Sequence, residues 1–126
     1  MWEILGSPAN FVIAEQGAGV GHLCLDILDA LETEFPEFYS LLLYRIVEIS
    51  TENRTRQAQL LSKHQNAVSW CRQSALAGMI GCYLSNELVD AFPVHLVEKR
   101  AGNLLEVYVA VENGTFQEVL HDPSTE

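Results

Sequence analysis

The stretch Phe11-Val-Ile-Ala-Glu15-Gln-Gly17-Ala-Gly19-Val-Gly21-His22 decides the fold. An apolar strand ends on a carboxylate, glycines then alternate, and Leu23, Ile27, Leu28 and Leu31 follow at helical spacing. Glycine lets backbone pass close to a ligand because no Cβ stands in the way. The first turn of the helix adds unpaired N–H groups facing the same place. Strand, loop and helix start together predict a nucleotide-type binding corner.

Working outward, Pro36 marks the end of that helix, and Phe38 to Leu42 adds a short helical turn. Leu43 to Ile49 reads as a second apolar strand carrying Glu48 at its end. Ser50 suits the N-cap of a mostly polar helix from Thr51 to about His64, with Leu60 and Leu61 turned to the sheet. A short strand over Val68 to Trp70 and a longer one over Met79 to Ser85 follow, the latter closed by Asn86 and Glu87. Continuous apolar strands alternating with helices predict an α/β fold, mainly a parallel sheet with helices on both faces. The polar strand ends then fall on the edge where such sheets bind ligands. The last third differs: Val94 to Lys99, Leu104 to Glu112 and Phe116 to Leu120 predict an antiparallel meander. Its turns are Ala101-Gly102-Asn103 and Asn113-Gly114, the second a type I′ hairpin signal. One domain is expected over 1–126, with a core over 1–93, the meander over 94–120 and a frayed polar tail from His121 to Glu126.

The chain has 126 residues, enough to bury a real core, and 48% of them are apolar against 19% charged. Its net charge of −10 repels a phosphate backbone, so nucleic acid is excluded as a non-specific partner. A basic protein segment or a cationic small molecule is the better match. Cys24, Cys71 and Cys82 form no C-x-x-C pair and read as reduced thiols. No apolar run approaches the roughly 18 residues of a membrane span. Met1-Trp-Glu-Ile-Leu-Gly6 has no basic region of a secretory leader, so a cytoplasmic protein is expected.

Three ligand classes compete for the glycine corner. A Walker loop needs Lys after its glycines, and none follows. A dinucleotide fingerprint needs its third glycine one position later than Gly21, and Glu48 lies too far along for the ribose acid of that motif. An acidic residue, alternating glycines and a second acidic strand end instead suit S-adenosylmethionine. Gly17, Ala18, Gly19 and Gly21 form the loop that admits the methionine part and the ribose. Glu48 is suited to accept both ribose hydroxyls, and Glu15 adds negative field near the sulfonium. The competing reading makes Glu15 and Glu48 solvated strand ends beside a tight turn.

The string from Phe11 to Leu28 resembles the first motif of the DUF185 (MidA/NDUFAF7-like) family of S-adenosylmethionine-dependent methyltransferases. Tyr44-Arg-Ile-Val-Glu-Ile-Ser50 is similar to its second motif, and Asn86-Glu-Leu-Val-Asp-Ala-Phe-Pro-Val-His95 to its most distinctive one. Glu106-Val-Tyr-Val109 also looks like a segment of that family. The resemblance implies a Rossmann-like class I methyltransferase core. It further implies, by analogy with the mitochondrial member, symmetric arginine dimethylation linked to assembly of a respiratory complex. Gln16 stands where the family usually has an aliphatic residue, and Ala18 where Pro is common. Family members run to several hundred residues, so an incomplete version of the fold is expected here. Either a methyltransferase or a non-catalytic assembly module fits such a core.

Methyl transfer from a sulfonium is an in-line displacement that depends on alignment and desolvation. A guanidinium acceptor would be oriented by carboxylates. Glu87 is the expected acceptor-side carboxylate and Asn86 a positioning group, while Asp90 either joins them or caps the turn before Pro93. His95 reads as a rim histidine before a base, and His22 as part of the helix start. Trp70 and Leu76 are positioned to flank an adenine ring, with Ser74 or Gln73 at its amino edge; Trp70 is equally a core residue. Arg54 and Arg56 read as a solvated face. No metal is expected, because His and carboxylates lack ligand spacing. An incomplete sheet leaves edges that pair, so self-association is expected alongside a protein substrate or assembly partner.

Overall fold

A computed structural model describes residues 1–125 and divides into two units, Met1–Asp90 and the remainder from Ala91. In the first unit, β1 (Val12–Gln16), β2 (Leu43–Val47), β3 (Val68–Trp70) and β4 (Gly81–Ser85) form one parallel sheet in the order β3-β2-β1-β4. Between the strands come α1 (His22–Glu34), α2 (Pro36–Leu41), α3 (Thr51–Leu60) and a 3-10 turn over Gln73–Leu76. The chain leaves β1 towards β2 and later returns to β4 on the other side of β1. That reversal opens a crevice at the carboxyl ends of β1 and β4.

Register explains the core. Ile13 pairs with Tyr44 on one side and Cys82 on the other, and Glu15 with Ile46 and Leu84, so these side chains share a face. Phe11, Ile13, Tyr44, Ile46 and Val68 pack there with Cys24 and Leu28 of α1 and with Leu61. Leu23 is 46% exposed, and Cys24 takes the buried position because the helix phase points 24 and 28 at the sheet. The other face carries Gln16, Arg45, Ser69 and Tyr83, joined as Gln16–Tyr83 and Arg45–Ser69 pairs.

The second unit is an antiparallel meander of β5 (Val97–Arg100), β6 (Asn103–Glu112) and β7 (Thr115–His121). Both turns are left-handed at their two central residues, Ala101-Gly102 and Asn113-Gly114, as type I′ geometry requires. Val109, Val111 and Phe116 share one strongly exposed face. On the opposite face Glu106, only 6% exposed, accepts hydrogen bonds from His95 Nδ1 (2.6 Å), the Tyr108 hydroxyl (2.9 Å), and Ser124 through both N–H (2.7 Å) and Oγ (2.9 Å). The expected tail is thus tied back at Ser124, while Glu126 lies outside the described residues.

The Glu106 cluster makes a pH prediction. His95 first, then the Ser124 N–H, hold the Glu106 carboxyl down at about 2, below its ordinary 4.5. A folded-state value below the unfolded one stabilises above about 4.5, and that stabilisation is lost as pH falls through about 2. The protection of the Ser124 amide, its exchange measured against the intrinsic rate at each pH, is expected to fall over that window. Glu106→Gln is expected to show low protection already at neutral pH and no further loss over the same window.

Candidate functional site

β1 delivers the chain to the crevice, and three left-handed glycines turn it into α1. Gly17, Gly19 and Gly21 have φ of 74°, 56° and 97°, a region that costs other residues about 1 kcal/mol or more. Their surroundings differ. A Cβ on Gly17 would stand 2.9 Å from Leu88 Cδ1, and one on Gly21 3.3 Å from Gln57 Cγ. At Gly19 nothing lies within 4 Å, so the middle of the loop faces open space. Ala18 anchors the bend by accepting the Gly21 N–H (2.8 Å). No side chain caps α1, which leaves the N–H groups of its first turn for whatever fills the corner.

Glu48 lies one residue beyond β2, half-buried. Its Oε1 accepts the Ser50 N–H at 2.8 Å, and its Oε2 accepts Gln57 Nε2 at 3.3 Å and Asn53 Nδ2 at 3.5 Å. Ser50 Oγ caps α3 through the Asn53 N–H. The carboxylate is therefore fixed at the positive end of α3, and four lone-pair sites leave room for a further donor. Ile49, next in sequence, is 98% exposed and offers an apolar face beside it.

Gln57 is the functional candidate that sequence reading missed. It is fully buried; Nε2 donates to Gly19 O (2.8 Å) and to Glu48, while Oε1 accepts the Trp70 indole N–H (2.7 Å). One amide thus joins the glycine loop, the acidic end of β2 and β3. The signal was present as Asn53, Gln57 and Leu61 at intervals of four, a polar stripe leading into a buried leucine.

Glu15 is 4% exposed and accepts the Tyr44 hydroxyl at 2.7 Å through Oε2. Burial raises its carboxyl above the ordinary range, with the Tyr44 bond opposing. Among the described residues no fully buried side-chain oxygen lacks a partner, so the other Glu15 oxygen keeps contact with the surface. Cys24, next to this pair, has its thiol pushed up to about 12 by burial, so it is a packing residue and no nucleophile.

Asn86, Glu87 and Asp90 are exposed on the segment that leaves β4 beside the loop, since Leu88 reaches Gly17. Glu87 has φ of 46°, a left-handed conformation that a non-glycine residue holds only when its surroundings enforce it. Gln73, Ser74 and Leu76 lie on the 3-10 turn after β3, Leu76 half-buried and the two polar residues exposed. His22 opens α1 with its side chain exposed, and His95 is committed to Glu106 in the second unit.

The expectation of scattered His and carboxylates needs correction. Asp29, Glu32 and His64 place ligand atoms within 4.8 Å of one another. Lys63 already bonds Asp29 (2.6 Å) and Glu32 (2.8 Å), and buried His64 donates from Nε2 to Asp29 (3.0 Å). An internal ammonium thus satisfies the charge that a metal would need.

The family described as "Putative S-adenosyl-L-methionine-dependent methyltransferase" matches residues 1–126, and this chain belongs to it. A solved structure from Burkholderia thailandensis, a COG1565 superfamily member described as a "likely methyl transferase" bound to S-adenosyl-homocysteine, is 29% identical with a TM-score of 0.68. The similarity covers 98% of this chain and 32% of that one, so this chain spans about a third of its neighbour's length. No curated protein matches the sequence. Among the described residues no helix is long and apolar enough to cross a membrane.

Proposed function

We propose that this chain is the cofactor-binding part of a methyltransferase that acts on a protein arginine, in the service of respiratory-complex assembly. The observation that carries the reading is the bridge from Gly19 through Gln57 to Glu48, which holds an open glycine bend and a fixed carboxylate together. The open space over Gly19 and the spare acceptor capacity of Glu48 fit an adenosyl group. S-adenosylmethionine, when bound, supplies an electrophilic methyl. In this reading Glu48 accepts one ribose hydroxyl at its free site and the other in place of the 3.5 Å Asn53 contact, Ile49 and Ser74 border the base, and Gly17, Ala18, Gly19 and Gly21 admit the backbone-close part of the ligand. The free N–H groups of α1 receive its carboxylate. Glu15 is the buried negative partner of the cationic end.

On the acceptor side, Glu87 orients a guanidinium by paired hydrogen bonds and takes its proton, Asn86 positions it, and Asp90 adds a second carboxylate. The chain's net charge of −10 favours a basic partner. Calorimetry of the full chain is expected to show saturable binding of S-adenosylhomocysteine. Methyl incorporation into an arginine-rich protein is expected, and is expected to vanish in Glu87→Ala with cofactor binding intact. Absence of heat at high protein concentration counts against the reading. A second reading, an assembly module without turnover, expects cofactor binding or none, with no methyl incorporated into any basic protein offered.

A further inference from the structure

The amino edge of the parallel sheet, opposite the glycine loop, carries an apolar groove of 660 Å³. Its wall is a pre-packed aromatic set: Trp2 and Phe11 lie 5.1 and 5.3 Å from Phe38, centroid to centroid, and Phe35 lines the mouth at 56% exposure. Around the mouth stand Glu3, Glu34 and Glu37. Among the described residues no cation pairs with any of them.

One of these glutamates is misplaced for the folded chain alone: Glu34 is the last residue of α1, whose final turn holds no basic residue, whereas Glu37 lies in the first turn of α2, where a carboxylate is favoured, and adds its charge to the rim. A helix carboxyl end is negative, so carboxylates there repel it and cations are favoured. An apolar floor with an uncompensated acidic rim matches a segment that presents apolar anchors between Lys or Arg residues. A second copy of this chain, also at −10, is the poorer electrostatic match.

We propose that this groove docks a basic amphipathic helix of a partner protein, at a place separate from the glycine corner. A synthetic helix of about 18 residues with Leu on one face and Lys on the other provides the probe. It is expected to bind the full chain, shift the indole N–H resonance of Trp2, and weaken with salt. A Glu twin of the peptide is expected to bind at least tenfold more weakly. Charge reversal of Glu3, Glu34 and Glu37 to Lys is expected to lower affinity at least tenfold. Reversal of Glu98, Glu112 and Glu118, equal in net charge, is expected to lower it less than threefold. Phe35→Ala, at an exposed position, is expected to cost about fivefold without changing the melting temperature.

Equal losses in the two charge-reversed variants would overturn the proposal, since attraction would then be to overall charge. So would an unmoved Trp2 resonance, or self-association in sedimentation that Phe35→Ala abolishes, which would assign the groove to a second copy.

Discussion

Replacing Glu48 by alanine is expected to lower affinity for S-adenosylhomocysteine by about 100-fold, near 2.7 kcal/mol, the scale of losing hydrogen bonds to a charged acceptor. The effect is large because the carboxylate is fixed before any ligand arrives: Ser50, Asn53 and Gln57 already hold it. A ligand therefore spends no ordering entropy on this side chain. Gln57→Ala is expected to reproduce much of the loss although the amide is buried beneath the loop, since it removes the tie between Gly19 and Glu48. Calorimetry on both variants, with thermal melts to show that each is folded, separates the outcomes. Undiminished affinity in Glu48→Ala would remove the ribose role assigned to it.

The largest stability effect is expected at Gly81. A Cβ there would stand 1.8 Å from Val12 O and 2.7 Å from Val12 C, both backbone atoms of the central strand. Backbone in a parallel ladder cannot step aside without breaking the pairing of β1 with β4, which the Val12 N–H to Ile80 O bond (2.9 Å) begins. Gly81→Ala is expected to cost about 3 kcal/mol or more, a large share of a domain's total stability. Loss of soluble protein or of a cooperative melt is the expected result. Gly78→Ala is the control: it is left-handed at φ of 74° with nothing within 4 Å, so only about 1 kcal/mol of conformational cost is expected. A melt of Gly81→Ala matching that control would mean that the strand pair accommodates a side chain.

The parallel sheet was legible because Phe11 to Glu15 and Leu43 to Val47 are continuous apolar runs ended by carboxylates. The meander turn at Asn113-Gly114 was legible because few dipeptides suit two left-handed residues in succession. Family membership was legible in the string from Asn86 to His95. What escaped depends on distant partners. Gln57 and Glu106 are polar residues in polar-looking segments, and only the loop at Gly19, the indole of Trp70 and the hydroxyls of Tyr108 and Ser124 make their burial affordable. Cys24 lies in the core while Leu23 is exposed, because the helix phase follows the sheet, not the count of leucines. The strained backbone at Glu87 has no sequence signal, since glutamate rarely adopts it.

The two loops beside the crevice hang from different strands. The glycine bend is wired to β2 and β3 through Gln57, whereas residues 86–90 issue from β4 and touch the bend through the aliphatic tip of Leu88. A greasy contact tolerates drift that a hydrogen-bonded one does not. The 86–90 segment can therefore slide against the bend without breaking a hydrogen bond, while Gly19 and Glu48 stay tied to each other.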